Sequence, residues 1–91
     1  MEKVYWSESA ERKMLTYESK YFTIVETRSY IAYLMNSIEN ILLNPHLSTR
    51  YTEEQGKYKG LSRVVFNKFK IYYEKLDNQI IIVAIKFPRE K

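Results

Sequence analysis

Three apolar-rich runs, Leu61–Phe66, Phe69–Leu76 and Gln79–Ile85, are separated by only two residues each, Asn67-Lys68 and Asp77-Asn78. A two-residue connection can only fold a strand back onto its neighbour, and Asn and Asp tolerate the positive φ that such turns require. The segment therefore predicts a three-stranded antiparallel meander whose register follows from the turns. Phe66 then faces Phe69, Val64 faces Ile71 and Ser62 faces Tyr73, with Ile82 and Ala84 beside them on an apolar side. On the other side Arg63 lies opposite Tyr72 with Val83 alongside, and Lys70 lies between Val65 and Ile85. Lys57 and Lys59 share the parity of Arg63 and join that side if the first of the three strands starts earlier. The pleat alone separates a core face from a basic one.

Upstream the period changes from two to between three and four. Lys3 to Trp6 reads as a short edge strand. Ser7 or Ser9 then offers a helix N-cap, with Glu8 and Glu11 in the first turn where the helix dipole favours acids. Ala10, Met14, Tyr17 and Tyr21 line one face, so the first helix is expected to reach about Tyr21. A second helix starts near Phe22–Thr23, with a stripe of Ile24, Arg28, Ile31, Leu34, Met35, Ile38, Ile41 and Leu42. Asn44-Pro45 ends it, because the residue before proline is pushed out of the α region. Two helices with almost no loop between them make an αα-hairpin. Residues 46–55 are polar and aperiodic and read as a loop containing the single histidine, His46, as a surface residue. The expected architecture is α+β: an N-terminal strand, an αα-hairpin, then the meander packed on the helices, in one domain spanning 1–91.

Charge is concentrated at one end. Residues 57–91 carry nine Lys/Arg against three acids, a balance of +6, whereas residues 1–56 carry six against eight. A localised basic sheet points to phosphate or to an acidic protein partner. There is no cysteine, which excludes disulfides and thiolate metal sites and suits a reducing cytoplasm. Glu2 and Lys3 lead straight into the first strand with no signal-peptide pattern, and no apolar run approaches the ~20 residues that span a bilayer. The expectation is a small cytoplasmic domain with neither metal nor cofactor.

The order of elements and three stretches together resemble the RelE/ParE toxins of type II toxin–antitoxin modules. Val4-Tyr5-Trp6-Ser7-Glu8-Ser9-Ala10-Glu11 is similar to that family's entry from strand to first helix. Ile38-Glu39-Asn40-Ile41-Leu42-Leu43-Asn44-Pro45 resembles its helix ending before a proline. Arg63-Val64-Val65-Phe66-Asn67-Lys68-Phe69-Lys70-Ile71-Tyr72-Tyr73 resembles its R-x-φ-x-x-x-Y-[KR]-φ-φ-Y hairpin, followed by Asp77-Asn78 and the apolar strand Ile80–Ile85. The resemblance covers essentially the whole chain.

It implies two activities on one fold. RelE-like members are ribosome-dependent mRNA endonucleases with a Lys/Arg active face. In that reading Lys70 stands where the hairpin carries a catalytic Arg, Arg63 and Lys59 act with it, Lys57 and Lys59 resemble the preceding basic pair, and Tyr72 stacks on a base. Lys at 70 lacks the bidentate fork of Arg, and the chain stops at Lys91 without the aromatic tail residue of that branch. ParE-like members inhibit DNA gyrase. The ending Lys86-Phe87-Pro88-Arg89 resembles their D-T-R close, with Arg89 on the shared Arg, and inclines the resemblance to that branch. Lys86 and Arg89 are then target contacts. A degenerate member that only binds antitoxin is the third option. The implied partner is an antitoxin with an acidic segment, which lays a helix around the αα-hairpin or adds a strand to the sheet edge, forming a hetero-oligomer. Without the resemblance, Arg63, Lys70 and Tyr72 read as the solvated face of an antiparallel sheet. Glu53 and Glu54 read as solvated acids.

Overall fold

The computed structural model describes residues 2–44 and 51–90. Its elements run β1 (Lys3–Trp6), α1 (Glu8–Leu15), α2 (Ile24–Leu43), β2 (Tyr51–Thr52), β3 (Ser62–Phe66), β4 (Phe69–Leu76) and β5 (Gln79–Lys86). The fold is α+β, two helices on a five-stranded mixed sheet ordered β1-β5-β4-β3-β2. The sheet is wider than three strands. β1 pairs in parallel with β5 at one edge, and β2 pairs antiparallel with β3 at the other. Part of the segment expected to be a loop is therefore strand. Pro45 and His46 lie outside the described residues.

Ser7 caps α1, its hydroxyl accepting from the Ala10 N–H at 3.1 Å. The helix closes six residues earlier than expected, the Thr16 N–H donating to the carbonyls of Lys13 and Met14. Burial of an aromatic offsets the lost helical turns. The Tyr17 ring packs against Phe69 and Phe87, both at 5.3 Å between centroids. Tyr21 is left 82% exposed.

A capping box starts α2. The Glu26 N–H donates to the Thr23 hydroxyl at 3.1 Å, and the Thr23 N–H donates to the Glu26 carboxylate at 2.9 Å. Thr23→Ala is expected to lower stability by about 1 kcal/mol, measurable by urea denaturation. Ile31, Leu34, Ile38 and Leu42 are buried, with Met35 and Ile41 half-buried against them. The stripe fails at its start: Ile24 is 72% exposed, so the first turn and a half of α2 lies outside the core. The helix ends at Asn44, whose ψ of 108° is the extended backbone that a following proline demands.

β3 and β4 pair in the expected register, Arg63 opposite Tyr72 and Val64 opposite Ile71. Asn67 and Lys68 both take positive φ, 49° and 70°, the geometry of a type I′ hairpin turn. In the second turn only Asp77 does, at 52°. β4 and β5 depart from the simple register. From Leu76–Gln79 to Tyr73–Ile82 it holds, but Tyr72 pairs with Ala84 because Val83 is an extra residue, a β-bulge. Beyond the bulge every residue changes side. Ile85 rather than Ala84 enters the core opposite Ile71, and Lys86 rather than Ile85 faces Lys70. Burial drives this: Ile80, Ile82 and Ile85 all reach 2% exposure or less, which strict alternation along one strand cannot give.

Candidate functional site

The sheet face away from the helices holds a cleft of about 240 Å³. The turn after β2 forms one wall and β3, β4 and β5 form the floor. The Glu53 N–H donates to Leu61 and its carbonyl accepts from Gly60, both at 2.8 Å, which extends the β2–β3 pairing and closes a tight loop. Gly60 carries φ +92° there, a conformation that disfavours any side chain. The loop brings Lys57 and Tyr58 back over the sheet. Lys57, Arg63, Lys70 and Lys86 line the cleft, with Glu53 as its acid.

Tyr58 organises the cations. Its ring lies 4.5 Å from that of Tyr72, and the ammonium groups of Lys57 and Lys86 stand 5.7 and 5.8 Å from its centroid. Arg63 is held on two sides, its guanidinium over the Tyr51 ring at 4.2 Å and 3.5 Å from the Glu53 carboxylate. Glu53 is thus half-buried and paired rather than solvated, while Glu54 is exposed. Lys57, Lys70 and Lys86 make no ion pair among the described residues.

Of the residues singled out from the sequence, five meet here: Lys57, Arg63, Lys70, Tyr72 and Lys86. Tyr72 sits differently from expectation. It is only 2% exposed beneath Tyr58, so the accessible aromatic of the cleft is Tyr58. Burial raises the Tyr72 hydroxyl above its ordinary value, the hydrogen bond to Arg63 opposing, so it stays protonated at neutral pH. Lys59 is exposed outside the cleft lining, and so is Arg89. Tyr58 and Glu53 carried no periodic signal in the sequence, because the loop that aims them is aperiodic.

Arg89 belongs to a separate turn. Glu90 takes the Lys13 ammonium at 2.6 Å and the Phe87 N–H at 2.9 Å, while Lys13 lies 5.1 Å from the Phe87 ring centroid. The Lys13 hydrogen bond first, then the Phe87 N–H, holds the Glu90 carboxyl below its ordinary 4.5. A depressed carboxyl stabilises fully above its unfolded value and loses that contribution as pH falls through the lower folded one. The melting-temperature difference between wild type and Glu90→Gln is therefore expected at pH 7 and should vanish well below pH 4.5.

A second surface is apolar. Leu15, Tyr21, Phe22, Ile24 and Val25 are 41–82% exposed where α1 ends and α2 begins. A groove beside them is lined by Leu15, Arg28, Ile31, Ala32 and Met35. Among the described residues no three His, Cys, Asp or Glu side chains group as metal ligands, and no helix is long and apolar enough to cross a membrane. No protein-family model, curated protein or solved structure matches the chain.

Proposed function

We propose that the chain is the toxin of a type II toxin–antitoxin pair of the RelE/ParE kind, and that the basic cleft engages the phosphates of its target, as in the mRNA-cleaving branch. One observation carries this: Lys70 and Lys86 stand directly opposite each other on β4 and β5. Like charges so placed destabilise a sheet. With Lys57 and Arg63 beside them, the arrangement suits an anion better than it suits the fold. For a ribonuclease, the ribose 2′-oxygen would attack the adjacent phosphorus after giving up its proton to a cleft base. The ammonium groups would neutralise the pentacoordinate phosphate, and the departing 5′-oxygen would take a proton from one of them. Tyr58 would offer a ring to a flanking base.

The second reading is a ParE-like inhibitor of DNA gyrase. Arg89, exposed on a turn clamped by Lys13 and Glu90 away from the cleft, favours it as a protein-contact residue. In either case the antitoxin's helix would cover the apolar surface around Leu15, Phe22 and Ile24, and its acids would mask the cleft.

Expression of the chain without a partner separates these readings. Codon-positioned mRNA cuts found by primer extension soon after induction support the ribonuclease. Intact mRNA with loss of negative supercoiling or broken plasmid DNA supports the gyrase inhibitor. Unimpaired growth leaves a member that only binds antitoxin.

A further inference from the structure

The juxtaposition of Lys70 and Lys86 depends on one extra residue, Val83. Without the bulge Lys70 would face Ile85 and the cleft would lose Lys86. A bulge interrupts the ladder and leaves backbone groups to be satisfied elsewhere. Here Ser7 serves that need. Its hydroxyl donates to the Val83 carbonyl at 3.0 Å, while its N–H, donating to the Ile82 carbonyl at 2.9 Å, continues the parallel β1–β5 pairing up to the bulge. The same hydroxyl accepts the Ala10 N–H that caps α1. One side chain thus ties the N-terminus of a helix to the bulge.

We infer that Ser7 is a positioning residue for the cleft, holding the Val83 bulge in the geometry that sets Lys86 against Lys70. Burial of Ile85 at 1% exposure fixes the gross register, and Ser7 fixes the local backbone from which Ala84 and Lys86 project. Its hydroxyl bonds Val83, Ala10 and Ser9, none of which lines the cleft. Alanine removes the hydroxyl's bonds to Val83 and Ala10 together with its 3.5 Å contact to the Ser9 hydroxyl. Threonine keeps a hydroxyl that can both donate and accept.

The inference rests on the cleft being an anion site, so both are read with inorganic pyrophosphate. Wild-type protein, Lys70→Gln, Ser7→Ala, Ser7→Thr and Thr23→Ala are titrated by calorimetry well below their melting temperatures. Thr23→Ala is the control, because it loses a comparable cap on the other helix. Ser7→Ala is expected to bind pyrophosphate about five-fold more weakly, the value of one lost hydrogen bond. Ser7→Thr should bind within about two-fold of wild type, and Thr23→Ala should bind like wild type. Undiminished binding by Ser7→Ala, or an equal loss in Thr23→Ala, overturns the positioning role. Wild-type protein that ignores pyrophosphate, or Lys70→Gln that binds it equally well, sinks the cleft reading instead. In that event amide shifts decide the role of Ser7. Changes at residues 82–86 and 70–72 in Ser7→Ala but not in Thr23→Ala support it, and unchanged shifts there overturn it.

Discussion

Replacing Phe69 by alanine is expected to remove about 3–5 kcal/mol of folding stability, the largest effect of any single truncation considered. Phe69 is 1% exposed, at the start of β4 immediately after the type I′ turn. Its ring meets Tyr17 at 5.3 Å and Phe87 at 5.8 Å between centroids, and those two also meet each other. The three rings join the link after α1, the sheet and the C-terminal turn, so the cavity left by alanine has walls on three separate segments and cannot close by one small shift. Domains of this size hold roughly 5–15 kcal/mol in total, so the loss would be a large share of it. Urea denaturation should show a lower midpoint with an unchanged slope. A loss under about 1 kcal/mol would mean that the aromatic cluster contributes little to the core.

On the proposed ribonuclease reading, Lys70→Ala is expected to reduce mRNA cleavage by roughly 10²–10³-fold, the usual cost of deleting a group that stabilises charge in the transition state. Lys70 is half-buried in the cleft floor between Val65 and Lys86 and has no acidic partner among the described residues. Removing it relieves a like-charge pair, so stability should hold or rise slightly while activity falls. Lys75→Ala, on the same strand, is the control, because its ammonium pairs with Glu2 at 2.7 Å instead. Codon-positioned cuts persisting at full strength in Lys70→Ala would remove the cleft from the reaction. Growth arrest persisting with intact mRNA would move the activity to the gyrase reading and leave Lys70 a bystander.

Much of this frame was legible from short-range chemistry. Asn67-Lys68 set the β3–β4 register, and with it the sharing of one face by Arg63 and Tyr72. Ser7 or Ser9 offered the first cap, which Ser7 takes, the second helical pattern began near Phe22–Thr23, and Asn44-Pro45 marked the end of α2. Signals with two solutions failed. Tyr17 and Tyr21 continue a helical period, yet α1 stops at Leu15 and Tyr17 packs instead on the rings of Phe69 and Phe87. The run Ile80 to Ile85 is apolar at every position, so alternation could not reveal where the strand changes phase. Ile82 faces inward as the turn register requires, but only packing against the helices chose Ile85 rather than Ala84 as the next inward residue and forced Val83 to be extra.

By itself the sequence determined local matters: where strands turn, where helices are capped, and that positive charge gathers in the last third. These depend on neighbours a few residues apart, whose energetics the chain carries wherever it goes. The tertiary structure decided which cations meet. Lys86 reached Lys70 through a bulge selected by core burial, and Lys57 arrived on a loop pinned by Glu53, Leu61 and Gly60. Those contacts join residues distant along the chain, and their geometry exists only once the apolar faces have closed on one another.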